Sequence, residues 1–245
     1  EGHLRWLYLH HAAARGSDPP PAPRRNDPIM GELNDDPFQA ARLILTLRRE
    51  GVTDPNVLRA VEAVPRSAFI EPELAGLAYE DCVLPIGCGQ TLERPSTLAA
   101  MIQLLRLQDV SDPRILIVGC GSGYTAALVA EFTETVFAME RFRRLADRAV
   151  QNYQHLGIES VSVRHGDGLL GWVEAGPFDR ILLTGSVSEV PSGLLSQLSD
   201  GGLCIAPIAE GETQSLVVLD KNGIPQSSEP THPHTPLMSG VSKAL

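Results

Sequence analysis

Apolar positions follow two different periods along this chain. From Asp36 to Gly51 they recur at helical spacing, with Phe38, Ala41, Ile44, Leu45 and Leu47 assigned to one face. Asp36-Pro37 supplies an N-cap and a first helical residue, and Gly51 a stop. A second helix opens at Asp54-Pro55, runs through Val57, Leu58 and Val61, and ends at Pro65. A loop follows around Tyr79 to Gln90, then a third helix from Arg94-Pro95 to Leu105. Beyond it, short aliphatic runs alternate with amphipathic ones. Strands are expected at Ile115–Val118, Val136–Met139, Ser160–Arg164, Arg180–Thr184 and Leu203–Ile208, and helices at Thr125–Phe132, Phe142–His155 and Ser192–Leu198. Ser215–Leu219 before Asn222-Gly223 predicts a hairpin and an antiparallel edge. The fold class is therefore α/β, a doubly wound, mostly parallel sheet with helices on both faces. Ligands of such sheets bind beyond the carboxyl ends of the strands.

Three segments follow from this pattern. Residues 1–29 hold the proline-rich basic stretch Asp18 to Arg25 without a hydrophobic period, and are expected to be a disordered leader or tag-like segment, with Met30 a candidate start. Residues 30–110 form an N-terminal helical cap and substrate-side segment, and residues 111–245 the ligand-binding α/β domain. At 245 residues and 43% hydrophobic, the chain can bury one sizeable core. No apolar run approaches the roughly 20 residues that span a bilayer. A net charge of −10 without a Lys/Arg cluster argues against a nucleic-acid partner. Cys82, Cys88, Cys120 and Cys204 lack metal-ligand spacing and are expected to be small buried hydrophobes; with no metal site implied, a reducing cytoplasm fits. Oligomeric state is left open.

The chemistry concentrates at three strand ends. The first strand runs into Gly119-Cys120-Gly121-Ser122-Gly123, a loop that lets backbone approach a nucleotide or nucleoside closely. Tyr124 stands where a dinucleotide fingerprint wants its third glycine, which disfavours an NAD-dependent dehydrogenase. Glu140, directly after the second strand, is placed to accept hydrogen bonds from ribose hydroxyls. Gly166-Asp167-Gly168 follows the third strand, with Asp167 an acceptor for an exocyclic adenine amine or, equally, the start of an Asp-Gly turn.

With these motifs in place the chain resembles the protein-L-isoaspartate (D-aspartate) O-methyltransferases. The family signature is matched by Gly166-Asp167-Gly168-Leu169-Leu170-Gly171-Trp172 and by Pro177-Phe178-Asp179-Arg180-Ile181, with Gly176 standing where the family has Ala or Ser. Val64-Pro65-Arg66, Phe69, Gly89-Gln90-Thr91 and Pro95 resemble its N-terminal segment, and Pro191, Leu194-Leu195, Gln197-Leu198 and Gly201-Gly202 its stretch before the fifth strand. The resemblance implies the seven-stranded sheet of the class I S-adenosylmethionine-dependent methyltransferases, with S-adenosyl-L-methionine as cofactor. Gly119, Gly121 and Gly123 would lie beneath its methionine part, with Cys120 and Ser122 in the same loop. Glu140 would hold the ribose, and Asp167, between Gly166 and Gly168, would lie near adenine. It also implies methylation of the carboxylate of isoaspartyl residues in damaged proteins, which starts repair through a succinimide. In-line methyl transfer needs alignment and dryness rather than a triad.

Three positions depart from the family. Glu93, in Thr91-Leu92-Glu93-Arg94-Pro95, replaces a serine at the family's reacting centre. Two carboxylates ~4 Å apart at an effective dielectric of ~20 repel by about 4 kcal/mol, near a thousandfold in binding. Glu93 must therefore swing away, be neutralised by Arg94, be protonated, or serve a different acceptor as a general base. Thr91 and Ser96 are neighbouring hydroxyls that could serve instead, and Glu93 and Thr91 are the candidate catalytic residues. Ile117 replaces an acidic residue and removes a contact to the methionine amine. His232 to Leu237 corresponds only in part to the family's Val-Pro-Leu segment that embraces the peptide. A different acceptor, or a cofactor-binding paralogue without turnover, are the alternatives.

Overall fold

A computed structural model describes residues 37–242. The expectations for residues 1–29, for Met30 and for the Asp36 cap concern positions outside the described residues. Helices α1 (Pro37–Arg49), α2 (Pro55–Ala63) and α3 (Pro95–Leu104) form the N-terminal part, with a two-stranded hairpin, β1 (Leu84–Gly87) and β2 (Gln90–Leu92), between the last two. Asp54 caps α2 by accepting the Asn56 N–H, and Val64-Pro65 ends it. The loop expected around 79–90 is thus partly this hairpin, whose strands of four and three residues carry too few positions to show a period of two.

The apolar face of α1 differs from the expected one. Leu43 and Leu47 are buried, while Phe38 and Leu45 are 78% and 57% exposed. At 100° per residue, positions 43, 44 and 47 share one side of the cylinder, and 38, 41 and 45 lie on the other. Choosing apolar residues by type rather than by angle mixed the two sides.

The main sheet has the order β5-β4-β3-β6-β7-β8-β9. Its strands are β3 (Ile115–Val118), β4 (Val136–Glu140), β5 (Val161–His165), β6 (Phe178–Leu183), β7 (Leu198–Glu210), β8 (Thr213–Leu219) and β9 (Pro225–Pro230). The first five pair in parallel and the last two are antiparallel, as the Asn222-Gly223 turn predicted. Alternate residues of β3 serve the two faces. Ile115 and Ile117 join the core under α1–α3, α4 (Tyr124–Val129) and α5 (Arg143–Leu156), whereas Leu116 and Val118 join the core with Leu194 and Leu195 of α6 (Ser192–Leu195). Ile117 is thereby fully buried in the first core. Helix α6 is one turn rather than the seven residues expected, because β7 begins at Leu198. Cys120 and Cys204 are buried as expected, but Cys82 and Cys88 are only half-buried against the first core. No helix among the described residues is long and apolar enough to cross a membrane.

Strand order reverses between β3 and β6, and this reversal sets the site. The connections from β3 and β6 leave in opposite directions, which opens a crevice beyond their carboxyl ends.

Candidate active site

A cleft of about 740 Å³, including its open mouth, occupies that crevice. One wall comes from strand ends: Val118 and Gly119 after β3, Met139, Glu140, Arg141 and Phe142 after β4, Gly168 and Leu169 after β5, and Thr184 and Gly185 after β6. The facing wall comes from Ile86, Gln90, Thr91 and Glu93 of the hairpin region, roofed by Thr235–Met238.

The glycine loop is fixed by the protein itself. Gly123 has φ +106°, and a Cβ there would come within 2.6 Å of the Tyr153 hydroxyl, which donates to the Gly123 carbonyl at 2.8 Å. Gly119 has φ +85°, and its Cβ would meet Thr184 Oγ1 at 2.8 Å and Leu237 Cδ2 at 2.9 Å, both from residues lining the cleft. A side chain would therefore fill the space where this wall meets the roof.

Glu140 ties the loop to the end of β4. Its Oε2 accepts the Gly121 N–H at 2.8 Å and its Oε1 the Phe142 N–H at 2.9 Å, with the residue 5% exposed. Burial pushes its pKa up, and the main-chain N–H groups of Phe142, Gly121 and Arg141 with the Arg141 charge pull it partly back. Arg141 Nε is buried without a partner among the described residues.

On the acceptor wall, Glu93 is 6% exposed and forms no salt bridge among the described residues. Burial raises its pKa against the Arg94 charge, the Arg94 N–H and the Arg66 charge. Arg66, fully buried, fastens this wall: Nη1 donates to the Ala78 and Glu80 carbonyls and Nη2 to those of Cys82 and Glu93, at 2.8–3.2 Å. The Thr91 and Thr235 hydroxyls share a hydrogen bond of 2.9 Å.

Thr235 belongs to a strap, residues 231–242, that lies across the strand ends. Ser186 donates its N–H to Thr235 O and accepts that of Leu237 at 2.8 Å. Gly240 N–H donates to Asp167 Oδ2, and Ser242 N–H to Arg141 O at 3.1 Å. His234 is buried on the strap, and burial holds its pKa down to about 4.

Of the residues singled out from sequence, Thr91, Glu93, Gly119, Gly121, Glu140 and Gly168 meet in the cleft. Cys120, Ser122, Gly123, Gly166 and Asp167 do not line it. Cys120 packs in the core, Ser122 gives its carbonyl to Asn152, and Gly123 begins α4. Asp167 Oδ1 accepts the Leu169 N–H at 3.0 Å, so the Asp-Gly turn is what the structure displays. Arg141, Thr184 and Gly185 were missed, as was the anchoring role of Arg66; of the strap, His232 to Leu237 was singled out only as a partial match to the family's peptide-embracing segment. Arg66 stands inside the family-like Val64-Pro65-Arg66 segment, but no local pattern says that its partners are four carbonyls.

The family model for protein-L-isoaspartate(D-aspartate) O-methyltransferase matches residues 38–239, which include both walls and the strap up to Ser239. The chain belongs to this family. A protein-L-isoaspartate O-methyltransferase of Yersinia enterocolitica is 43% identical over 174 residues, covering 71% of this chain and 82% of that protein. Among solved structures, a protein-L-isoaspartate O-methyltransferase superposes with a TM-score of 0.68 at 29% identity over 80% of this chain, which spans 65% of that structure's length. A Plasmodium falciparum chain described as the same methyltransferase type, in complex with S-adenosyl-L-homocysteine, superposes with a TM-score of 0.69 at 26% identity, covering 80% of this chain and 97% of its own. Membership in the family therefore rests on the whole described fold and not on the glycine loop alone.

Proposed function

We propose that this protein is an S-adenosyl-L-methionine-dependent O-methyltransferase that esterifies the side-chain carboxylate of isoaspartyl residues in proteins and peptides. The observation that carries the reading is the cleft itself. A glycine-edged wall with a buried carboxylate, Glu140, faces a wall bearing Glu93 and the Thr91–Thr235 pair, and both stand at the strand-order reversal. The residues fit the cofactor. Glu140 keeps lone pairs beyond its two main-chain bonds for a ribose diol, and Gly119 leaves room that a side chain would take. Gly119, Gly121, Glu140 and Gly168 would hold it, with Cys120, Ser122 and Gly123 shaping the loop and Gly166 and Asp167 the neighbouring strand end. When bound, this group supplies an electrophilic methyl. The chain's own part is to orient the acceptor carboxylate between Thr91, Glu93 and the strap, and to keep water out.

In this reading residues 30–110 present the acceptor and residues 111–245 the cofactor, and the four free cysteines accord with a reducing cytoplasm. Methyl radiolabel offered with an isoaspartyl peptide and with its aspartyl twin tests it. Label should enter the isoaspartyl peptide alone; no transfer with S-adenosylhomocysteine binding intact rejects the proposed acceptor.

A further inference from the structure

Two carboxyls line the cleft, and they are held differently. Both oxygens of Glu140 are engaged by main-chain N–H groups on the cofactor wall. Glu93, on the acceptor wall, is nearly as buried but has no ion pair among the described residues. Two cations stand near it: Arg94, whose charge and main-chain N–H favour ionised Glu93, and Arg66, whose charge does the same while its two terminal nitrogens donate to carbonyls, that of Glu93 included. Glu140 and Arg141 stand on the opposite wall, and Thr91 lies on its own wall under Thr235 of the strap. His234, beside Thr235, is kept neutral by burial near neutral pH.

An acceptor carboxylate entering this cleft, as the reading above requires and on which this inference rests, therefore meets a second carboxyl that is itself only 6% exposed. Like charges so placed cannot both ionise cheaply, and the pair retains a proton. We infer that Glu93 binds the acceptor as a neutral carboxylic acid, its O–H donating to one oxygen of the isoaspartyl carboxylate while the other oxygen remains the nucleophile. The proton stays with Glu93 before and after transfer, so no further acid or base is needed. The desolvation that already raises the Glu93 pKa works in the same direction, and the incoming charge adds to it. Glu93 thus becomes a specificity-determining residue. It favours an acceptor that brings one negative charge and a free oxygen, and it makes binding depend on pH.

Calorimetry of an isoaspartyl peptide with the protein saturated in S-adenosylhomocysteine, in two buffers of different ionisation enthalpy, reads the proton directly. Above the Glu93 pKa of the free protein, the native protein should take up as much as one proton on binding, and its Kd should rise by up to tenfold per pH unit. Glu93→Gln, a neutral isostere with an N–H donor, should show no uptake and a flat Kd. Glu93→Ser, run alongside, should behave as Glu93→Gln does. Equal proton uptake and superimposable pH profiles in the native protein and both variants overturn the shared proton while leaving the isoaspartyl reading intact. Failure of all three to bind or methylate the peptide at any pH, with S-adenosylhomocysteine still bound, removes the isoaspartyl reading and this inference with it.

Discussion

Glu140 and Glu93 look into the same cleft from opposite sides, and they are fixed over different distances in sequence. Glu140 is held by Phe142, two residues away, and by Gly121, 19 away. The wall of Glu93 is held by Arg66, whose guanidinium reaches 27 residues to the Glu93 carbonyl, and by a threonine pair 144 residues apart. The cofactor wall is thus an outcome of neighbouring strands ending side by side. The acceptor wall exists only once distant parts of the chain have met. The sheet has one way to arrange its ends, whereas the hairpin and strap are joined by a few polar contacts that can change one at a time.

Glu140→Ala should break the first wall most severely. It leaves two half-buried N–H groups without their acceptor, at about 2–3 kcal/mol together, and should weaken S-adenosylhomocysteine binding by up to two orders of magnitude in calorimetry. Arg66→Met should do the converse. Losing four charge-assisted bonds to carbonyls should cost about 3 kcal/mol in urea denaturation. The acceptor KM should rise while the S-adenosylhomocysteine Kd stays within about threefold. If Arg66→Met weakens cofactor binding as much as Glu140→Ala does, the two walls are not separable.

Acidification acts on the strap. His234 is held near pKa 4 in the fold against 6.5 when free, so the unfolded chain binds the extra proton first as pH falls. Its contribution is complete above pH 6.5 and is lost on the way down to about 4, at up to roughly 1.4 kcal/mol per unit and about 2.5 kcal/mol by pH 4.5. Thermal unfolding from pH 7 to 4.5 should show that slope in the native protein and a shallower one in His234→Gln. The smallest effect belongs to the threonine pair. Thr91→Val and Thr235→Val, alone and combined, should give a coupling of about 1 kcal/mol in a double-mutant cycle. A coupling near zero would mean that the strap rests on this wall without being held by it.

The same contrast explains what the sequence disclosed. The parallel strands were legible because Ile115–Val118 and its neighbours are buried on both faces, and the glycine loop because Gly119 and Gly123 need backbone angles that other residues resist. Glu93 stood out because it replaces the serine of the family the chain resembles. The hairpin and the contacts of Arg66 and of the strap were hidden, since their meaning lies in partners that no local period reveals. Phe38 and Leu45 misled because exposed apolar side chains look the same in a sequence as buried ones. Asp167 carried two readings at once, and the fold shows it gripping Leu169 and Gly240.

The strap also imposes an order in time. It follows every strand of the sheet in the chain, so a ribosome delivers it after β9. The sheet, the glycine loop and the Glu140 clamp can assemble while the roof is still being made. A nascent chain then owns a nucleoside shelf before it owns a closed room, and the ability to keep water from the acceptor is acquired last.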